Sequence, residues 1–197
     1  MKTLCVIFGL FFSGFSVAQT LFTKTQLDTL SEFKSLEEAL QHPDKVYKLN
    51  LRGDKLKRIP EEISQFPNLQ VLILKRNKID SLVFDFSSTP YLQVLDVSRN
   101  NLTYISPEIQ HLKHLKKLLL GENSLTSLPP TIGNLKELVF LDLWGNEITD
   151  LPESLNDIPA LKKIDMRVIQ LNYRQQEALQ SRFPNIEIVF SAGCNCN

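Results

Sequence analysis

The sequence predicts an α/β repeat solenoid in which short parallel strands stack into one sheet, closed at both ends by helical caps. Three observations carry this. Leu69, Leu92, Leu115, Leu138 and Leu161 stand 23 residues apart without an insertion, and self-similarity at such a period marks a stacked-repeat architecture. With each leucine as position 1, apolar residues recur at positions 4 and 6 with an oppositely directed side chain between them, as in Leu138-Val-Phe-Leu141-Asp-Leu143. That alternation is a strand's. Strands separated by a whole unit cannot be hairpin partners, so they lie parallel and the chain returns on the other side of the core. One unit cannot enclose its own apolar face, so the units fold as a single block.

Taken in order, residues 1–18 resemble a secretory signal: Lys2 precedes an apolar run from Val6 to Phe12, and small residues Ser16 and Ala18 precede a cut before Gln19. The apolar run is interrupted by Ser13, Gly14 and Ser16 and falls short of the roughly 18 to 20 residues of a membrane span. The mature chain is therefore expected without a transmembrane segment and in a secreted, periplasmic or cell-surface location of bacterial type. Residues 19–45 form the expected N-terminal cap. Ser35 and Glu38 have capping-box spacing, Leu36, Ala39 and Leu40 share a helical face, and Pro43 stops the helix. Within residues 19–33 only Leu27 and Leu30 hint at a further short helix.

The repeats are expected over residues 46–168, as five regular units and a degenerate one. Asn77, Asn100, Asn123 and Asn146 occupy position 9, just after each strand, where the chain turns inward and leaves backbone groups without ladder partners. A buried amide can donate and accept, bridging such groups from coil to coil. Asp54 holds this place in the first unit, and Ile169 ends the series. Residues 169–197 make the expected C-terminal cap and tail. Asn172 and Gln175 are placed to cap a helix running to about Arg182, and Ile186, Ile188 and Phe190 alternate as a last strand after Pro184.

Ile59-Pro60, Leu128-Pro129 and Leu151-Pro152, with the five in-phase leucine units, resemble the leucine-rich repeat family in its form of about 23 residues per unit. Ser106 replaces the first proline of the third unit, and the second has Val83-Phe84 with no proline before Pro90, so its outer side departs from the pattern. The resemblance implies a curved horseshoe segment with the sheet on its concave face, turns or short helices outside, and use above all in binding proteins. If positions 4 and 6 enter the core, positions 3, 5, 7 and 8 line the concave face. Ile73, Lys75, Arg99, Leu119, Phe140, Asp142, Trp144 and Arg167 are the candidate partner-binding residues there. Trp144, the only tryptophan, is expected to anchor a partner, since a rigid aromatic offers large contact area at little entropy cost. The alternative is that it packs on Phe140 and covers the sheet.

Other chemistry is weakly signalled. The chain carries 22 basic and 22 acidic residues. Loss of Lys2 leaves the mature form one charge negative, which points away from nucleic acid. No phosphate-cradling glycine loop, nucleophile elbow or zinc-protease motif occurs. His111 and His114 are spaced to share a helical face but fall among lysines on a turn, and no metal or other cofactor is expected. Carboxylate pairs such as Glu61-Glu62 lack a third group to separate their pKa values. After cleavage Cys194 and Cys196 are the remaining cysteines; export permits a disulfide, within or between chains, while two thiolates supply only half a structural zinc site. Asn101-Leu-Thr103 is a glycosylation sequon. The expectation is a non-enzymatic, secreted binder of an unidentified protein. A carbohydrate ligand at Trp144, Phe140 and Asp142, or self-association through the inner face or tail, stand as alternatives.

Overall fold

Leucines two residues apart leave water together only if the strand between them lies flat against a core, and this requirement sets the geometry of every coil. The computed structural model describes residues 20–191. The expected signal and both Cys194 and Cys196 lie outside them. Leu49, Leu72, Leu95, Leu118, Leu141 and Ile164 form one buried column at position 4, and Leu51, Leu74, Val97, Leu120, Leu143 and Met166 form the next at position 6. Burying each such side chain contributes about 1.5 to 3 kcal/mol.

In chain order the strands are β1 (Lys48–Asn50), β2 (Val71–Ile73), β3 (Ser81–Leu82), β4 (Val94–Asp96), β5 (Tyr104–Ile105), β6 (Lys117–Leu119), β7 (Phe140–Asp142), β8 (Lys163–Met166) and β9 (Glu187–Phe190). Seven of them form one sheet in the order β1-β2-β4-β6-β7-β8-β9. The register steps by one unit at a time, so that Lys48, Val71, Val94, Lys117, Phe140 and Lys163 stand side by side. The repeats alone account for six of these strands; β9 is a seventh, supplied from beyond them and paired in parallel with β8.

On the outer side the chain returns through short 3-10 turns at Glu61–Gln65, Phe86–Ser88, Pro107–His111, Pro130–Asn134 and Glu153–Asp157. Ile63, Phe86, Ile109, Ile132 and Leu155 point inward from them. The second coil, which lacks the proline, starts its turn with the Asp85 carboxylate accepting from the Ser87 N–H at 3.1 Å. Phe86 then fills the volume an isoleucine or leucine takes elsewhere. Ahead of this turn β3 pairs in parallel with β5 as a small second sheet. Successive turns pack closely, and a Cβ on Gly133 would stand 2.5 Å from the Ser154 carbonyl oxygen.

The asparagines are buried and bridge consecutive coils. Asn123 Nδ2 donates to Leu120 O in its own coil at 2.8 Å and to Val97 O in the preceding one at 3.1 Å, while its Oδ1 accepts from Leu102 N at 3.0 Å. Asn77, Asn100 and Asn146 make the equivalent bonds. Asp54 is exposed, so the first coil contributes to this ladder only as the recipient of Asn77. Immediately before position 9, whether it holds an asparagine or, in the first and last units, Asp54 or Ile169, the backbone turns left-handed: Gly53, Arg76, Arg99, Glu122, Gly145 and Val168 all have φ between 54° and 85°.

At the front, residue 33 extends the sheet, with Phe33 N donating to Lys48 O at 3.0 Å and Asn50 N donating to Phe33 O at 2.8 Å. Helix α2 (Leu36–Leu40) follows and buries Ala39. Ser35 caps its Glu38 N–H at 3.4 Å. At the back, helix α3 (Tyr173–Arg182) opens on a reciprocal box, Asn172 Oδ1 accepting from Gln175 N and Gln175 Oε1 accepting from Asn172 N. Leu179 and Phe183 turn from it into the core.

Candidate partner-binding face

Residues between the core positions of each strand face away from the core, and the register sets them in columns across the sheet. Position 5 runs Asn50, Ile73, Asp96, Leu119, Asp142, Asp165. Its polar members are strand-end devices. Asn50, Asp96, Asp142 and Asp165 each accept, through Oδ1, the N–H of the residue two further on, at 3.0 to 3.2 Å. Asp142 and Asp165 are direct neighbours with opposite electrostatics. Burial pushes the Asp142 carboxyl above its ordinary value, against the Trp144 N–H bond, and the charges of Asp165 and Asp96 add to the rise. Burial also acts on Asp165, but hydrogen bonds and charge from Arg167 outweigh it and the net shift is downward.

The structure sets the candidate residues on this one face, with differing freedom. Ile73, Leu119, Phe140 and Trp144 are half-buried and form an apolar band crossing β2, β6 and β7. Lys75 lies close enough to Asp142 to favour its charged form. Arg99 Nε is held by Glu122 Oε1 at 2.6 Å, and Arg167 grips Asp165 through Nε and Nη2. Val71, Asp96, Ser98 and Gly121, in the same columns, are buried and present little surface.

Val71 is covered by the chain itself. Residues 20–30, for which the sequence offered only Leu27 and Leu30, cross the front half of the face. Thr20 O accepts from Gln70 Nε2 at 3.1 Å, Phe22 N donates to Gln70 Oε1 at 2.9 Å, and Phe22 O accepts from Gln93 Nε2 at 3.0 Å. The two glutamines stand one repeat apart at position 2. They bond to each other at 2.7 Å, and Lys116 Nζ continues the column to Gln93 Oε1 at 2.7 Å. The Phe22 ring meets Tyr47 edge-on at 5.0 Å. Helix α1 (Lys24–Thr29) then lies over the sheet and buries Leu27. Between α1 and the strands a cleft of about 440 Å³ remains, lined among others by Val71, Ile73, Val94, Leu119 and Lys117. Leu27 and Leu30 hinted at the short helix, but sequence reasoning missed Gln70, Gln93 and the docking of α1 over the sheet; the available signal was a pair of glutamines one period apart.

His111 and His114 do not converge: Nδ1 of His114 meets Glu137 Oε1 at 2.9 Å and that of His111 lies 3.0 Å from Glu108 Oε2. Among the described residues no group of three or more His, Cys, Asp or Glu side chains is arranged for a metal ion, and no helix is long and apolar enough to cross a membrane.

Residues 91–112 match the profile of a Leucine Rich Repeat and residues 113–153 that of Leucine Rich repeats in two copies. A chain of the BIR3–SERK2 complex of Arabidopsis thaliana is 30% identical over 60% of this chain and 69% of its own length, with a TM-score of 0.51. This chain belongs to the leucine-rich repeat family. A leucine-rich repeat protein of Leptospira interrogans shares its fold at 24% identity and a TM-score of 0.58, over 83% of this chain and 59% of the other. A plant peptide hormone receptor, RGFR1, solved in complex with RGF2, matches at 26% identity and a TM-score of 0.55, over 75% of this chain and 24% of the receptor. This repeat protein thus spans less than two thirds of the length of both of those structures. No curated protein matches its sequence significantly.

Proposed function

We propose that this leucine-rich repeat protein is an exported, non-enzymatic module that binds another protein through its concave sheet. The apolar band of Ile73, Leu119, Phe140 and Trp144 on a rigid parallel sheet carries this reading. Lys75, Arg99, Asp142 and Arg167 border the band and would set orientation and charge preference. The likeness to a receptor solved with its peptide hormone, and to a chain of a two-protein complex, supports a recognition role. The carboxylates on this face serve strand ends and ion pairs, a use that favours binding over proton transfer.

A photoreactive group at position 144, carried into the protein's native surroundings, tests this. Repeated crosslinking to one defined protein, absent when the group sits at outer-side Lys113, is the expected result. Identical capture from both positions, or none from 144, would refute the reading. Sequencing the amino terminus of the exported chain tests the signal: Gln19 is the expected first residue, and an intact Met1 on protein outside the cytoplasm would overturn it.

A further inference from the structure

The cleft between α1 and the sheet has a chemistry of its own. Its floor is apolar, built by Val71, Ile73, Val94 and Leu119, with Leu27 of α1 as the facing wall. Its rim carries Lys24, Lys48, Lys116 and Lys117 against the single carboxylate of Asp28. Two of these cations are already engaged, Lys48 with Glu32 at 3.7 Å and Lys116 with Gln93. The side-chain ammonium groups of Lys24 and Lys117, from opposite walls, make no hydrogen bond or ion pair among the described residues. The volume falls in the range of sites that hold small ligands or a few side chains. The adjoining rim also shows how it treats a polypeptide: Gln70 and Gln93, one coil apart, hold the extended backbone of Thr20 and Phe22 by both carbonyl and N–H.

We propose that this cleft receives an extended acidic peptide segment of the partner, with one apolar side chain on the floor and carboxylates at Lys24 and Lys117. The proposal rests on the concave face being a protein-binding surface, and it names the segment bound at the front half of that face. The apolar side chain supplies contact area against Val94 and Leu119. The unpaired ammonium groups select acidic over basic flanks, because a like charge brought between them would be repelled.

The test uses the full chain and three probes: a fluorescent ten-residue peptide with a central Phe flanked by glutamates, the same peptide with lysines for glutamates, and laurate. Anisotropy should show saturable binding of the acidic peptide, weakened about tenfold or more in the lysine peptide and in the Lys117→Glu and Lys24→Glu variants. Lys113→Glu, on the outer side, should leave it unchanged, and added salt should weaken it. Equal binding of both peptides, indifference to both rim variants, or no binding up to millimolar peptide would each overturn the proposal. Laurate that competes and binds more tightly than the acidic peptide would do so too, marking the cleft as an acyl-chain site. Failure of the cleft is separable from failure of the wider reading: crosslinking at position 144 to a defined protein, with acidic peptide unbound, would remove only the cleft.

Discussion

The Asp142 carboxylate closes over Gly121, where an added Cβ would stand 2.9 Å from Oδ2. The missing side chain is what lets an acid lie against the sheet, and burial then raises its pKa. A carboxyl whose folded pKa is raised binds its proton more tightly in the folded state than in the unfolded chain. Its charge therefore costs stability above the carboxylate range, and that cost fades as pH falls through the folded pKa. Asp142→Asn keeps an oxygen for the Trp144 N–H and removes the charge. The variant should melt higher than wild type at pH 7, with the gain shrinking toward about pH 4. A variant less stable at pH 7 would show that the ionised form is needed.

Asn123→Ala should lose about 1 to 3 kcal/mol of stability in urea unfolding, because the Leu102 N–H is left buried without its acceptor and Val97 O and Leu120 O each lose one of two amide donors, keeping only those of Asn100 and Asn146. An unaltered unfolding midpoint would mean that water substitutes freely for the amide.

Val168 is the β-branched member of the left-handed series, at φ 61°, and it is 61% exposed. The first and fifth coils place Gly53 and Gly145 there. The left-handed conformation costs an L residue about 1 to 2 kcal/mol, whereas glycine gives back roughly 0.5 to 1 kcal/mol through unfolded-chain entropy. Val168→Gly should therefore raise stability by up to about 1 kcal/mol in chemical denaturation. A loss of stability would show that the exposed isopropyl group packs against a neighbour after all.

Trp144→Ala should leave the thermal midpoint close to wild type, since the side chain lies outside the core columns, while weakening the captured partner by about 2 kcal/mol or more. Calorimetry with that partner measures both quantities on one sample. Unchanged affinity in a folded variant would leave Trp144 as a cover for the sheet.

Much of this was legible because burial repeats. Leu118, Leu120 and Asn123 recur one unit on as Leu141, Leu143 and Asn146, and no other parallel stacking shuts all of them away from water. Leu27 and Leu30 hinted at α1, but the docking of this segment across the sheet was illegible for the complementary reason. It is held by Gln70 and Gln93 at position 2, where the core imposes no residue type, and it contributes a single buried side chain, Leu27, from a helix of six residues. The left-handed turns were hidden too, since Arg76, Arg99 and Glu122 carry no mark of that conformation; only Gly53 and Gly145, a multiple of the repeat apart, pointed to it. On the outer side, one proline-led turn of five residues is too short to separate α from 3-10 geometry in advance.

Because the Gln70 amide fastens Thr20 O at the rim of the concave sheet, whatever is joined ahead of that residue sets out from beside the cleft. An affinity tag or fluorescent fusion attached there would be tethered four residues along the chain from Lys24 and would compete as a guest for the cleft. Labels intended to leave recognition untouched belong on the outer turns, for example at Lys113.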